Sequence, residues 1–99
     1  HAYAATQRDV VQAVSLMNGE QVWSQNALRN RRLATPAVVP AAVAVGDFEG
    51  YVHFLARSDG RLLGRLNVGG GAVLSPLVGT AAGVLVQTGN GNLVLVGVN

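Results

Sequence analysis

The chain has 99 residues, a formal net charge of +2 and neither cysteine nor lysine, so all seven of its cations are arginines. Because cysteine is absent, a disulfide framework and a thiolate metal site are excluded. Nucleic-acid binding is also disfavoured, because it needs clustered cations between stacking aromatics and only 5% of these residues are aromatic.

The first predicted elements are three short strands. Apolar runs predict them at residues 2–5, 10–16 and 21–24. Asn18-Gly19, between the last two, is typical of a hairpin turn. A long connection follows, and it contains the one concentrated charge feature of the chain, Arg29-Asn30-Arg31-Arg32.

The next unit is complete, with four predicted strands at residues 35–39, 42–46, 51–56 and 62–66. Pro36 fits an exposed first strand position. Turn residues separate the later strands, because glycine supplies a positive φ and aspartate bonds local backbone amides. They are Gly46-Asp47-Phe48-Glu49-Gly50 and Ser58-Asp59-Gly60.

The last unit has three predicted strands, at residues 74–78, 83–87 and 92–98, with a turn at 89–91. Its apolar runs do not alternate with polar residues, which is typical of sheets buried on both faces. Residues 67–99 carry no charge, but repeated glycines and Pro76 interrupt them. A membrane-spanning helix is therefore not expected there.

These units are copies of one repeat. Residues that precede an apolar run recur every 41 positions, at Asp9, Gly50 and Gly91. Two dipeptides also recur. Asn18-Gly19 recurs as Asp59-Gly60 at the same spacing of 41 positions, and Thr35-Pro36 recurs as Ser75-Pro76 at a spacing one residue shorter. A period near 40 with several short strands predicts an all-β protein, a β-propeller of four-stranded antiparallel blades.

The chain then contains about two and a half blades of a larger ring, since a closed propeller needs about 4–8. We expect residues 1–27 to form strands two to four of one blade, residues 33–68 a complete blade, and residues 72–99 strands one to three of a third. All belong to one propeller domain. The missing last strand suggests a natural C-terminus, with the blade completed by an N-terminal part of the protein outside this chain.

The first copy contains a recognisable motif, Ala13-Val14-Ser15-Leu16-Met17-Asn18-Gly19-Glu20-Gln21-Val22-Trp23. It resembles the tryptophan-docking motif of PQQ-like propellers, in which the glycine turns between strands and the tryptophan packs on the adjacent blade. Ser15 replaces the usual aspartate. Gly64 occupies the tryptophan position of the second copy, so weaker docking is expected there. The expected structural docking residues are Gly19, Trp23, Gly50, Gly60 and Gly91.

A closer resemblance lies in residues 33–38 and in Gly46-Asp47-Phe48-Glu49-Gly50-Tyr51-Val52-His53. These segments resemble the C-terminal blades of the BamB family, propeller lipoproteins of the outer-membrane barrel-assembly machinery. The resemblance implies an eight-bladed, non-catalytic scaffold without cofactors, at the periplasmic face of the bacterial outer membrane. It also implies an N-terminal lipid absent from this chain, contacts with the rest of its own propeller, and docking on the POTRA domains of BamA.

The arginine-rich connection provides the candidate partner-binding residues, Arg29, Arg31, Arg32 and Leu33. Connections between blades line one rim of a propeller, where partners usually bind. Arginine suits bidentate recognition of carboxylates. The alternative is a solvated loop without a partner.

No catalytic, cofactor-binding or metal-binding residue is expected. His53 stands alone in a strand, and a single histidine without cysteine is a poor metal site. Asp47, Glu49 and Asp59 occupy turns, whereas acid–base catalysis by paired carboxylates needs an enclosed cleft. Two alternatives remain. One is the C-terminal part of a PQQ-dependent dehydrogenase, which needs oxygen ligands for calcium. The other is part of a transmembrane barrel, whose strands need about 9–11 residues.

Overall fold

The computed structural model describes residues 1–40, 42–68, 72–73, 77–81, 83–88, 91 and 93–97. These residues form strands and turns, with no helix among them. The strands are β1 Ala2–Ala5, β2 Val11–Val14, β3 Gln21–Gln25, β4 Ala37–Val39, β5 Ala42–Gly46, β6 Tyr51–Leu55, β7 Leu62–Asn67, β8 Val78–Thr80, β9 Gly83–Gln87 and β10 Leu93–Gly97. The all-β prediction is confirmed.

The strands form three antiparallel sheets, each made of consecutive strands joined by short connections. The first sheet has the order β1-β2-β3, the middle sheet β4-β5-β6-β7 and the last sheet β8-β9-β10. The middle sheet is therefore one complete four-stranded unit, and it lies between the other two.

Both faces of β5 and β6 in the middle sheet are covered, which explains the apolar run of β5. Val43, Val45 and Leu55 pack against Val11, Ala13 and Trp23 of the first sheet. On the other face, Ala42, Ala44 and Val52 pack against Val84, Val86 and Val96 of the last sheet. Because neighbouring side chains of a strand point to opposite faces, all five residues of β5 are buried. This is the packing expected of a blade between two others.

The 41-residue period corresponds to one hairpin turn that is built three times. It begins at Thr6, Asp47 and Thr88, and its fourth residue has a positive φ: 60° at Asp9, 93° at Gly50 and 88° at Gly91. The fourth residue's amide donates to the first residue's carbonyl oxygen, at 2.9, 3.4 and 3.0 Å. Aspartate is among the few non-glycine residues that adopt this conformation readily, so Asp9 fits a position that is otherwise glycine.

In the first and second copies, the side chain of the first turn residue closes the turn. Thr6 Oγ1 accepts from the amides of Arg8 and Val10, each at 3.2 Å. In the same way, Asp47 Oδ1 accepts from the amides of Glu49 and Tyr51, which lie two and four residues further along the chain. A hydroxyl and a carboxylate thus play one local role, but only the carboxylate has a second oxygen left for other partners.

β1, β5 and β9 match the predicted ranges, and other strands differ from theirs at one or both ends. β2 ends at Val14, earlier than predicted, because the Ser15 carbonyl oxygen already accepts from the Gly19 amide at 2.9 Å. Pro36, expected at an exposed first strand position, lies directly before β4 and is half-buried.

The start of β8 is also a correction. The predicted strand at 74–78 ends where β8 begins, at Val78, and the part at residues 74–76 lies outside the described residues. The pair Val78 and Leu85 repeats the pair Ala37 and Ala44 41 residues earlier. Strand pairing therefore keeps the 41-residue spacing, although Ser75-Pro76 in the sequence is one residue closer. The predicted turn residues 89 and 90 and strand ends 92 and 98 are also outside the described residues.

Candidate functional site

The centre of the candidate site is Asp47, the first residue of the turn between β5 and β6. Its side chain is completely buried. Oδ1 accepts from the amides of Glu49 at 2.9 Å and Tyr51 at 3.0 Å. Oδ2 lies 2.6 Å from Nε2 of His53 and 3.3 Å from Nη1 of Arg31. Both carboxylate oxygens are therefore occupied by partners within the chain.

These partners keep Asp47 ionised. Burial alone opposes ionisation and raises the pKa, but the hydrogen bond and charge attraction from His53 and the amides of Tyr51 and Glu49 act in the opposite direction. Their sum places the pKa of Asp47 below its ordinary value of 3.8. Because an ionised carboxylate only accepts hydrogen bonds, Nε2 of His53 carries the proton in this pair.

His53 is the buried partner on β6, with a side chain that is only 3% exposed. It reaches Asp47 because the four-residue turn folds β6 back on β5, which pairs His53 with Val45. The ring of Tyr51 lies beside it, with centroids 6.2 Å apart. This pair of an acid and a histidine is closed to solvent and joins the turn to β6.

Arg31 joins the connection between β3 and β4 to the same turn. Its Nη1 lies 3.3 Å from Asp47 Oδ2 and 3.4 Å from Glu49 Oε1, and its carbonyl oxygen accepts from the Phe48 amide at 3.0 Å. The flanking residues Asn30 and Arg32 have positive φ of 67° and 53°. We call Arg31, Asp47, Glu49 and His53 the rim network. It fixes the connection between two sheets onto one hairpin turn.

The other candidate residues of the connection are placed differently. The Leu33 amide donates to Asp9 Oδ1 at 2.9 Å, and its side chain packs against the core shared by the first and middle sheets. Arg29 is exposed. Arg32 is exposed as well, with its guanidinium carbon 5.0 Å from the centre of the Phe48 ring. Arg31 and Leu33 are thus half-buried, whereas Arg29 and Arg32 are exposed, Arg32 over the Phe48 ring.

A second arginine is stacked on the same turn region. Arg65 of β7 places its guanidinium carbon 4.6 Å from the centre of the Tyr51 ring. It does so because β6 and β7 pair Arg65 with His53, two residues from Tyr51 on the same face. We call Arg32, Phe48, Tyr51 and Arg65 the basic rim.

The docking residues form a separate contact, between the first and middle sheets. The Trp23 indole is nearly buried, its Nε1 donates to the Arg57 carbonyl at 2.9 Å, and it lies directly against Gly60. A Cβ at Gly60 would overlap the indole ring. Nε2 of Gln25 donates a further hydrogen bond to the Gly60 carbonyl oxygen at 3.0 Å. These contacts join neighbouring sheets.

The other residues expected in docking have different surroundings. Gly19 and Gly91 adopt positive φ of 72° and 88°, and among the described residues no atom lies close to the position of a Cβ. Gly50 has a positive φ of 93° and its carbonyl accepts from Val68 at 3.0 Å. Gly64, at the tryptophan position of the second copy, lies in β7, where every residue is exposed.

The described residues offer no group of three or more histidine, cysteine, aspartate or glutamate side chains that would hold a metal ion. The sequence missed the pairing of His53 with Asp47 and the stacking of Arg65 on Tyr51. A signal for the pairing of Asp47 with His53 was present in the sequence, since the two residues flank a short hairpin turn. The contact of Arg65 with Tyr51 could be predicted only from the pairing register of β6 and β7.

None of the described residues forms a helix of the length and apolarity that crossing a membrane requires.

No family model matches the chain. The chain is 63% identical over 98 residues to the outer membrane protein assembly factor BamB of Bordetella pertussis, covering 99% of this chain and 25% of the relative. BamB of Taylorella asinigenitalis is 41% identical over 98 residues, covering 98% of this chain and 26% of that protein.

Two solved structures share the fold. BamB from Moraxella catarrhalis has a TM-score of 0.82 at 28% identity, over 92% of this chain and 27% of that one. Quinohemoprotein alcohol dehydrogenase from Comamonas testosteroni has a TM-score of 0.70 at 18% identity, over 88% of this chain and 15% of that one, which shows a common fold alone. The chain spans about a quarter of the length of the curated relatives it matches. The chain, a β-propeller segment with three antiparallel sheets, belongs to the BamB family.

Proposed function

We propose that this chain is part of a non-catalytic β-propeller scaffold that acts in outer membrane protein assembly by docking on the periplasmic POTRA domains of BamA. One observation carries the proposal: the 63% identity over 98 residues to a protein named as an outer membrane protein assembly factor. The scaffold binds no cofactor. Its location is the periplasmic face of the bacterial outer membrane, where an N-terminal lipid anchors the whole protein.

Residues 1–27, 33–68 and 72–99 belong, on this proposal, to three successive blades of one ring. The two sheet interfaces described above support this arrangement, because β5 and β6 of the middle sheet are buried on both faces by the neighbouring sheets. The rest of the protein then covers the outer face of the last sheet, where the side chains of Leu93 and Leu95 are 66% and 58% exposed.

The use of the polar groups is consistent with a scaffold. Asp47 and His53 are paired inside the turn, and Arg31 joins this turn to the connection between β3 and β4. Such a network holds the rim rigidly, and a rigid surface binds a partner with less loss of conformational entropy. Arg29 and Arg32 remain at the surface for partner contact.

The test uses the full-length protein that carries this chain. We expect the immobilised protein to capture purified POTRA domains of BamA, and not the membrane-embedded barrel domain prepared in the same detergent. Failure to capture the POTRA domains would overturn the docking proposal. In the same preparation we expect neither quinone absorbance nor dye-linked alcohol oxidation. Appearance of both would overturn the non-catalytic part. The quinohemoprotein neighbour adds no support for an enzyme, because it is similar in fold alone.

A further inference from the structure

Charged side chains are distributed unevenly between the two ends of the hairpins. Every charged residue of the chain lies within the described ranges. Five arginines and three carboxylates lie in the turns 6–10 and 46–50, in the connection 26–36, or stacked against them: Arg8, Arg29, Arg31, Arg32, Arg65, Asp9, Asp47 and Glu49. This end therefore carries the whole formal net charge of +2. The other charges, Glu20, Arg57, Asp59 and Arg61, cancel.

The three carboxylates at this end are already used by partners within the chain. Asp9 accepts from the Leu33 amide, Asp47 is buried against His53 and Arg31, and Glu49 pairs with Arg31. No aspartate or glutamate side chain lies within ion-pair distance of the side chains of Arg8, Arg29, Arg32 or Arg65, and all of these residues belong to the described part of the chain. The rim thus presents arginines without counter-charges of their own.

Two of these arginines are held in place by aromatic rings. Arg32 lies 5.0 Å from the centre of the Phe48 ring and Arg65 lies 4.6 Å from that of Tyr51. A guanidinium that lies over an aromatic ring still has N–H groups with which to bind a carboxylate in two-point fashion. Because the stacking restricts the side chain beforehand, less rotamer entropy is lost when a carboxylate binds.

The apolar part of the rim has the composition of a binding surface. Phe48 is 45% exposed, although aromatic rings are usually more buried, and it lies one residue from Asp47, which anchors the turn. Arginine and aromatic side chains are enriched at the residues that contribute most to protein–protein binding.

We propose that the basic rim, formed by Arg32, Phe48, Tyr51 and Arg65, binds an acidic segment of a partner protein. Carboxylates of that segment pair with the edges of Arg32 and Arg65, and an apolar side chain of the segment packs against Phe48. The inference rests on the proposed function, because the segment belongs to the partner on which the scaffold docks.

The experiment measures the affinity of purified POTRA domains for the full-length protein by titration at several salt concentrations. The rim variant is Arg32→Glu/Arg65→Glu, with Arg32→Gln/Arg65→Gln as a milder change. The matched control is Arg57→Glu/Arg61→Glu, which removes two exposed arginines at the other end of the β6–β7 hairpin. The thermal midpoint of each variant is measured beside its affinity.

We expect the charge-reversal variant to bind at least about tenfold more weakly than the wild type, as follows from losing two charge-assisted contacts. The glutamine variant falls in between, the control stays within about twofold, and salt weakens the wild type more than the rim variants. Rim variants that melt like the wild type and bind with unchanged affinity would contradict the inference alone. Equal loss in the control would also contradict it. A wild type that does not bind at all contradicts the proposed function instead.

Discussion

The indole of Trp23 lies directly against Gly60, a glycine in the turn of the neighbouring sheet. The same ring donates from Nε1 to the Arg57 carbonyl at 2.9 Å, so apolar packing and a hydrogen bond join the first and middle sheets at one place. The tilted ring of Tyr3, 5.9 Å away, covers it further. Because neither sheet has a complete core alone, this contact should contribute much of the stability at their interface.

Replacing Trp23 with alanine removes a nearly buried indole and leaves the Arg57 carbonyl without its donor. We expect the free energy of unfolding of the full-length protein to fall by about 3–5 kcal/mol, the usual cost of truncating a large core side chain. Trp23→Phe keeps most of the packing and loses mainly the hydrogen bond, at about 1 kcal/mol. Denaturant unfolding measures both. A Trp23→Ala loss no larger than that of Trp23→Phe would show that the ring contact is unimportant.

Gly60 and Gly19 form a matched pair, because they occupy equivalent turns 41 residues apart. Their φ values are 78° and 72°, but only at Gly60 would a Cβ meet the indole of Trp23. Gly19→Ala should cost about 1–2 kcal/mol of unfolding free energy, from the left-handed backbone alone. Gly60→Ala should cost that amount and an overpacking penalty of about 1–3 kcal/mol. Equal losses in the two variants would mean that the indole moves aside freely.

Asp47→Asn tests the rim network. Asparagine retains an oxygen for the amides of Glu49 and Tyr51, but its NH₂ group then faces the N–H groups of His53 and Arg31. We expect a loss of about 3 kcal/mol in the free energy of unfolding, as is usual when one member of a buried ion pair is removed. Asp59→Asn is the control, because Asp59 also accepts from an amide two residues later but is exposed. Its loss should be clearly smaller, and equal losses would exclude a special role for the network.

The depressed pKa of Asp47 predicts a loss of stability in acid. A carboxyl group whose pKa is lower in the folded state stabilises the protein above its unfolded pKa, here 3.8, and loses that contribution as the pH falls through the folded value. The difference in unfolding free energy between the wild type and Asp47→Asn should therefore shrink as the pH falls below about 4. Unfolding curves at a series of pH values measure this difference. A constant gap across that range would contradict the assignment.

The sequence predicted the sheets well where the signal is local. β5 and β9 match the predicted ranges because glycine or a polar turn residue ends each apolar run. β8 begins later than predicted. The prediction followed the similarity of Ser75-Pro76 to Thr35-Pro36, which is one residue out of the 41-residue spacing, whereas the strand begins at the pair formed by Val78 and Leu85. Pairing is a long-range property, and it sets where a strand begins.

The candidate site was predicted only in part, for the same reason. The arginine-rich connection was found from its composition, but composition does not show that Arg31 contacts a carboxylate 16 residues away whereas Arg32 faces outward. Arg65 was not recognised, because its stacking on Tyr51 depends on a register that shifts between Phe54 and Leu55. The role of His53 likewise depends on the turn that brings it to Asp47.

The assembly role of the full-length protein can be measured most directly in cells of its own bacterium. The level of folded outer membrane β-barrel proteins is compared between the wild type, a strain lacking the gene, and that strain complemented with the gene. The proposed function predicts a reduced level without the gene and recovery on complementation. Equal levels of folded barrel proteins in all three strains would contradict it.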